Sequence, residues 1–112
     1  MKVAVSLKEP KKYGQLDSHF GRCSYFAMVE ISDGKIGRIE FVENLASKQA
    51  GSAGVLAAKS VIEKGVEAVI TGELGPKAAE VLKQFNIPVY TASGSLPDML
   101  AAFIAGKLKR IQ

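Results

Sequence analysis

Lys2 to Leu7 alternates apolar with polar and β-branched residues, apolar-rich strand-like segments follow after residue 24, and apolar residues recur at helical spacing from residue 53 onward. Lys2 to Leu7 predicts a first strand. Tyr25 to Ile31 and Ile36 to Val42 predict two further strands, joined through Ser32-Asp33-Gly34-Lys35, whose Asp-Gly pair suits a tight hairpin. Val55, Leu56, Val61 and Ile62 fall on one helical face, so a helix is expected from about Ser52 to Lys64, stopped by Gly65. Ala68 to Thr71 predicts a short buried strand. A second helix opens with Pro76 in its first turn and ends near Asn86, Ile87 to Thr91 predicts a fifth strand, and Ser95-Leu96-Pro97-Asp98 opens a third helix, with a capping-box pattern, that closes at Gly106.

The predicted order is βββαβαβα, a mixed five-stranded sheet covered by helices, with residues 1–112 forming one domain. With the first, fourth and fifth strands parallel and the hairpin antiparallel, the third strand also points their way. The loops that follow these four strands then open at a single carboxyl edge, where open α/β sheets bind ligands. The first of these loops, Lys8 to Cys23, is long for so short a chain, and loops of that length are usually functional.

Composition narrows the classes. The 112 residues are 47% hydrophobic, sufficient for a packed core, and no apolar run reaches the roughly 20 residues needed to span a bilayer. A cytoplasmic protein without membrane insertion is expected. The net charge of +4 comes from scattered lysines and arginines rather than a stripe. The nearest approaches to a basic footprint are Lys8, Lys11 and Lys12 beside Tyr13, and the tail Lys107, Lys109 and Arg110, so nucleic acid is not the expected partner.

The candidate chemistry concentrates in His19-Phe20-Gly21-Arg22-Cys23, which holds the only histidine and the only cysteine of the chain. Imidazole and thiolate are the side chains best suited to borderline and soft metals and to iron-sulfur clusters. Arg22 would lower the thiol pKa, and Gly21 would admit a bulky ligand. Two ligands fall short of a closed four-ligand site. The residues alone therefore leave two readings open: a ligand pair, or a buried small thiol next to a hydrogen-bonding loop histidine.

Two glycine-bearing segments precede predicted helices, Gly51-Ser52-Ala53-Gly54 and Thr71-Gly72-Glu73-Leu74-Gly75-Pro76; their backbone amides could attract an anion or serve simply as turns and caps. Neither is a complete phosphate-binding motif. Asp17, Glu30, Glu40 and Glu73 are candidates for a divalent-metal phosphoryl hydrolase, but no pair forms a recognised motif. A regulatory module binding an anionic metabolite through the glycine loops is a third reading. Met28 and Met99 fit core positions.

In order along the chain, Ser18-His19-Phe20-Gly21-Arg22-Cys23, Ala50-Gly51-Ser52-Ala53-Gly54, Val69 through Ala78 and Asn86-Ile87-Pro88-Val89-Tyr90 resemble the dinitrogenase iron-molybdenum cofactor biosynthesis family. That family includes NifX-like carriers and the C-terminal domain of NifB-like proteins. The resemblance implies a ribonuclease-H-like α/β/α sandwich with five strands. It also implies a non-catalytic protein that binds or carries an iron-sulfur cluster or an iron-molybdenum cofactor precursor between donor and acceptor proteins, as monomer or homodimer. His19 matches the motif histidine, a proposed ligand; Cys23 matches a position that is not always cysteine. Phe20, Gly21, Arg22, Gly51, Gly54, Thr71, Gly72 and Gly75 complete the expected binding surface.

Overall fold

The computed structural model describes residues 1–49 and 51–112, so Ala50, the first residue of the second resemblance motif, lies outside the described residues. Six strands form one sheet in the order β3-β2-β1-β4-β5-β6. They are β1 (Lys2–Leu7), β2 (Tyr25–Ser32), β3 (Lys35–Glu43), β4 (Ala68–Thr71), β5 (Val89–Thr91) and β6 (Lys109–Arg110). β1 runs antiparallel to β2 and β2 to β3, while β1, β4 and β5 are mutually parallel. The expected common direction of β1, β3, β4 and β5 follows, and so does the single carboxyl edge.

Alternation along the strands divides the core into two layers. One face of the sheet presents Ala4, Phe26, Met28, Val69 and Val89 to helices α1 (Ala53–Glu63) and α2 (Pro76–Gln84). The other presents Val3, Val5, Leu7, Ala27, Val29 and Ile70 to α3 (Leu96–Ile104). The three layers thus arise because successive side chains of one strand point to opposite faces, each with its own helical cover. Met28 and Met99 are core residues, as their spacing indicates.

The sheet has six strands where the sequence predicts five. The missed β6 pairs antiparallel with β5, and Ile111 N donates to Val89 O at 2.8 Å. Two exposed cations carry no apolar alternation, so the Lys109-Arg110 tail reads in the sequence as a solvated end.

Two local boundaries also shift. Asn86 takes a left-handed conformation (φ 57°) and Ile87 N donates back to Leu82 O at 3.0 Å, so Ile87 belongs to the helix closure and β5 starts only at Val89. Ser95 caps α3 without a side-chain hydrogen bond, so the expected capping box is not made. The Asp33-Gly34 turn has positive φ at both residues (53° and 72°), the geometry that matches the twist of a two-residue hairpin.

Candidate functional site

The loop after β1 does not wander. Lys8 N donates to Gln15 O at 3.0 Å, closing an excursion, and residues 15–20 then lie across the carboxyl ends of the strands like an extra strand segment. Leu16 N donates to Gly94 O (3.0 Å), Asp17 N to Ser6 O (2.9 Å) and Phe20 N to Glu73 O (3.3 Å), while Glu73 N donates to Ser18 O. Backbone groups that a surface loop would leave to water are thus paired, which fixes the path of the loop. Beneath it, Ser6 and Thr71 join their buried hydroxyls at 2.8 Å, and Ser6 Oγ donates to Asp17 O at 2.7 Å.

Two glycines make this packing possible. A Cβ on Gly72 would stand 2.7 Å from Ser18 Cα, and one on Gly21 would stand 2.8 Å from the Cα and N of Gly54. Gly54 in turn sits where its own Cβ would be 3.2 Å from that of Ala78, so the starts of α1 and α2 adjoin. Gly21 and Gly72 therefore serve close approach of one backbone to another. The sequence expectation that Gly21 makes room for a bulky ligand is corrected: the α1 start already fills that space.

The pentapeptide splits between interior and surface. Phe20 is 1% exposed and packs against Phe26 with the rings tilted by 55° and their centroids 5.3 Å apart. Cys23 is fully buried in the α1–α2 layer, and its Sγ donates to Phe20 O at 3.3 Å. Asn44 Nδ2 donates to Gly21 O (3.1 Å) and Cys23 O (2.9 Å) and lies 3.6 Å from Sγ. Sequence reasoning missed Asn44; the available signal was a lone amide directly after a strand at the carboxyl edge. Arg22 Nη1 donates to Ser47 O (3.0 Å) and Gln49 O (2.7 Å), stapling the loop to the 3₁₀ helix Leu45–Lys48.

Arg22 does not activate the thiol. Burial, followed by the negative charge of Asp17, pushes Cys23 up from 9.0 to about 12, against smaller lowering by the Asn44 hydrogen bond. As pH rises above 9 the unfolded thiol ionises while the folded one stays protonated. Stability that is complete below pH 9 is therefore lost as pH climbs toward 12. In urea titrations between pH 9 and 11, Cys23→Ala is expected to lose stability less steeply than wild type, by about 1.4 kcal/mol per pH unit. A thiol reagent at pH 8 is expected to react only after denaturant is added; rapid reaction with folded protein would contradict the burial.

His19 faces outward, with its side chain 64% exposed. Its backbone N–H donates to Asp17 Oδ1 at 3.0 Å, an Asx-type turn that holds the residue at the rim. Its Nδ1 lies 3.1 Å from Ser18 Oγ, and its Nε2 stands 3.6 Å from Glu73 Oε2, beyond hydrogen-bond distance. Arg22 is exposed at the same edge. So are Gly51, Gly75 and Ser52, and among the described residues neither α1 nor α2 has a side-chain cap at its start; at α1 Gly21 packs against the Gly54 amide, and at α2 Pro76 carries no N–H.

The carboxylates do not assemble for metal catalysis. Asp17 is occupied by the His19 amide. Glu30 pairs opposite Lys2, at the far end of β1 from Asp17 and Glu73. Among the described residues no three His, Cys, Asp or Glu side chains are placed to hold a metal ion.

An open mixed α/β sheet, with its loops and two helix starts gathered around one exposed imidazole at the carboxyl edge, has the build of a small ligand-binding α/β protein. The chain matches the family described as dinitrogenase iron-molybdenum cofactor over residues 1–106, and it belongs to that family. It is 37% identical to an uncharacterized protein of Methanocaldococcus jannaschii, with 100% of this chain and 92% of the relative covered. Among solved structures it is similar to the apo form of the orange protein from Desulfovibrio gigas (TM-score 0.88, 26% identity, 96% and 89% covered). It is also similar to a candidate NifB protein from Thermotoga (TM-score 0.82, 27% identity, 98% and 92% covered). No helix among the described residues is long and apolar enough to cross a membrane.

Proposed function

We propose that this protein carries an iron-sulfur-containing cluster, or a precursor of the iron-molybdenum cofactor, as cargo between a donor and an acceptor protein, without chemical turnover. The observation that carries this reading is the exposed imidazole of His19, held at the carboxyl edge beside two helix starts without side-chain caps. A hydrogen bond between Nδ1 and Ser18 would orient the ring and leave Nε2 as the ligating nitrogen. The helix-start amides and the Arg22 guanidinium offset the negative charge of the cargo. Glu73 sits near Nε2 and must swing aside, which its 74% exposure permits.

Protein donors are few by design of this edge: one imidazole is accessible and the thiol of Cys23 is buried. A cargo bound this way keeps most of its own ligands, sulfide among them, and leaves readily. That suits transfer better than storage.

Anaerobic mixing with iron and sulfide, or with isolated cofactor precursor, is expected to give visible absorption that co-elutes with the protein near one cargo per chain. Absence of bound chromophore, together with thermal stabilisation by nucleotides or sugar phosphates, would instead support an anion-binding regulatory module. Magnesium-dependent phosphate release that disappears in Asp17→Asn would support the hydrolase reading.

A further inference from the structure

Among the described residues, the carboxylate of Glu73 meets no lysine or arginine within ion-pair distance; its one chargeable neighbour is His19. The backbone places it there. Glu73 lies in the turn between β4 and α2 and forms a parallel bridge with His19, in which Glu73 N donates to Ser18 O and Phe20 N donates to Glu73 O at 3.3 Å. Residues directly opposite each other in such a bridge send their side chains to the same side. The close seating of Gly72 on Ser18 holds the segment down, and Thr91 Oγ1 donates to Gly72 O at 3.4 Å. Glu73 Oε2 is thereby delivered to 3.6 Å from His19 Nε2.

The other ring nitrogen faces a second carboxylate. Asp17 Oδ1 lies 3.8 Å from Nδ1 and accepts the His19 backbone N–H at 3.0 Å. Arg22, the cation of the same loop, commits Nη1 to the carbonyls of Ser47 and Gln49. The imidazole thus stands between two negative charges on a chain whose net charge is +4. An anion is drawn toward the protein as a whole and then meets opposing charge at the ligating nitrogen.

We infer that Glu73 is a charge-selecting residue of the His19 site: its carboxylate opposes anionic ligands at Nε2 in proportion to their charge and hastens their departure. For an iron-sulfur-containing cargo the inference rests on the carrier reading above; the electrostatics at Nε2 do not. At about 6 Å in water with about 0.1 M salt, one pair of like charges changes the population of an encounter, and so an attachment rate, roughly twofold. The factor compounds with each further charge on the ligand.

Because the chain has one histidine, metal complexes that exchange a bound water for an imidazole nitrogen probe this position directly. The probes are aquapentaammineruthenium(II), a dication, and aquapentacyanoferrate(II), a trianion, followed by visible absorption, with His19→Ala used to subtract attachment elsewhere. Glu73→Gln removes the charge and keeps the shape. In this variant the trianion is expected to attach about five- to tenfold faster and the dication about three- to fivefold slower than in wild type, both differences shrinking at about 1 M salt. Glu73→Asp keeps the charge and is expected to stay near wild type with both probes. In protein loaded anaerobically with cluster, release to a chelator is expected to be slower from Glu73→Gln than from wild type. Circular dichroism melts confirm that each variant is folded. A structural role for Glu73 ahead of α2 would move both probes in the same direction. That result, probe rates indifferent to Glu73→Gln, or faster cluster release from the variant would each overturn the inference. Opposite changes with the two probes in a protein that takes up no cluster would uphold charge selection at His19 and refute the carrier reading.

Discussion

His19→Ala is expected to bind at least tenfold less cargo than wild type under anaerobic loading, with visible absorption falling accordingly. Disturbing a residue that merely orients a metal ligand typically costs roughly 10–100-fold in affinity, and removing the ligand itself is expected to cost no less. The exposure of the ring makes the variant clean: its side chain contributes little packing, so the melting curve should stay close to that of wild type. His19→Cys, which supplies another soft ligand at the same position, is expected to recover part of the loading. Cys23→Ala is expected to load like wild type, because the thiol is fully buried in the folded protein. Equal loading of wild type and His19→Ala would remove the imidazole from the account.

Phe20→Ala is expected to be the most destabilising single change in the His19 loop, by about 3–5 kcal/mol, as for other fully buried aromatic truncations. For a chain of this size that corresponds to a fall in Tm of about 10 °C or more. The ring packs on Phe26 beneath the loop, and the Phe20 N–H joins the loop to the segment after β4. Losing the ring would loosen the platform that holds His19. Leu45→Ala, at a side chain with 66% exposure, serves as the surface comparison and is expected to change stability by about 0.5 kcal/mol or less. A cost below about 1 kcal/mol for Phe20→Ala would mean that the ring is not a core residue, and would return it to the binding surface where the sequence places it.

The fold was legible wherever periodicity and turn chemistry agreed. The strands expected at Tyr25–Ile31 and Ile36–Val42, and the Asp33-Gly34 hairpin between them, match β2 and β3 to within one residue at each end, whereas the bulge in β3 at Gly37 and Arg38 left no mark in the sequence pattern. β6 could not be read, because a two-residue strand of cations is held by hydrogen bonds to β5 that leave no mark in its composition. At the site, the sequence singled out the right loop but not which side chains point where. One backbone path sends His19 to the rim and Phe20 and Cys23 to the core, and that choice is made by the clasp of residues 15–20 over Ser6, Gly72 and Gly94. Nothing in the local pattern of the pentapeptide reveals a clasp built from distant loops. Arg22 illustrates the same limit: its charge suggests an activated thiol, whereas its guanidinium turns to the carbonyls of Ser47 and Gln49.

The chain contains a single histidine, so ¹⁵N-histidine labelling reports on His19 alone. Pulsed electron paramagnetic resonance on anaerobically loaded, paramagnetic protein is the most direct test of the carrier site. A nitrogen hyperfine coupling that changes on ¹⁵N-histidine labelling is the expected result. A fully loaded protein whose spectrum shows no such coupling would contradict ligation by His19 and with it the proposed site.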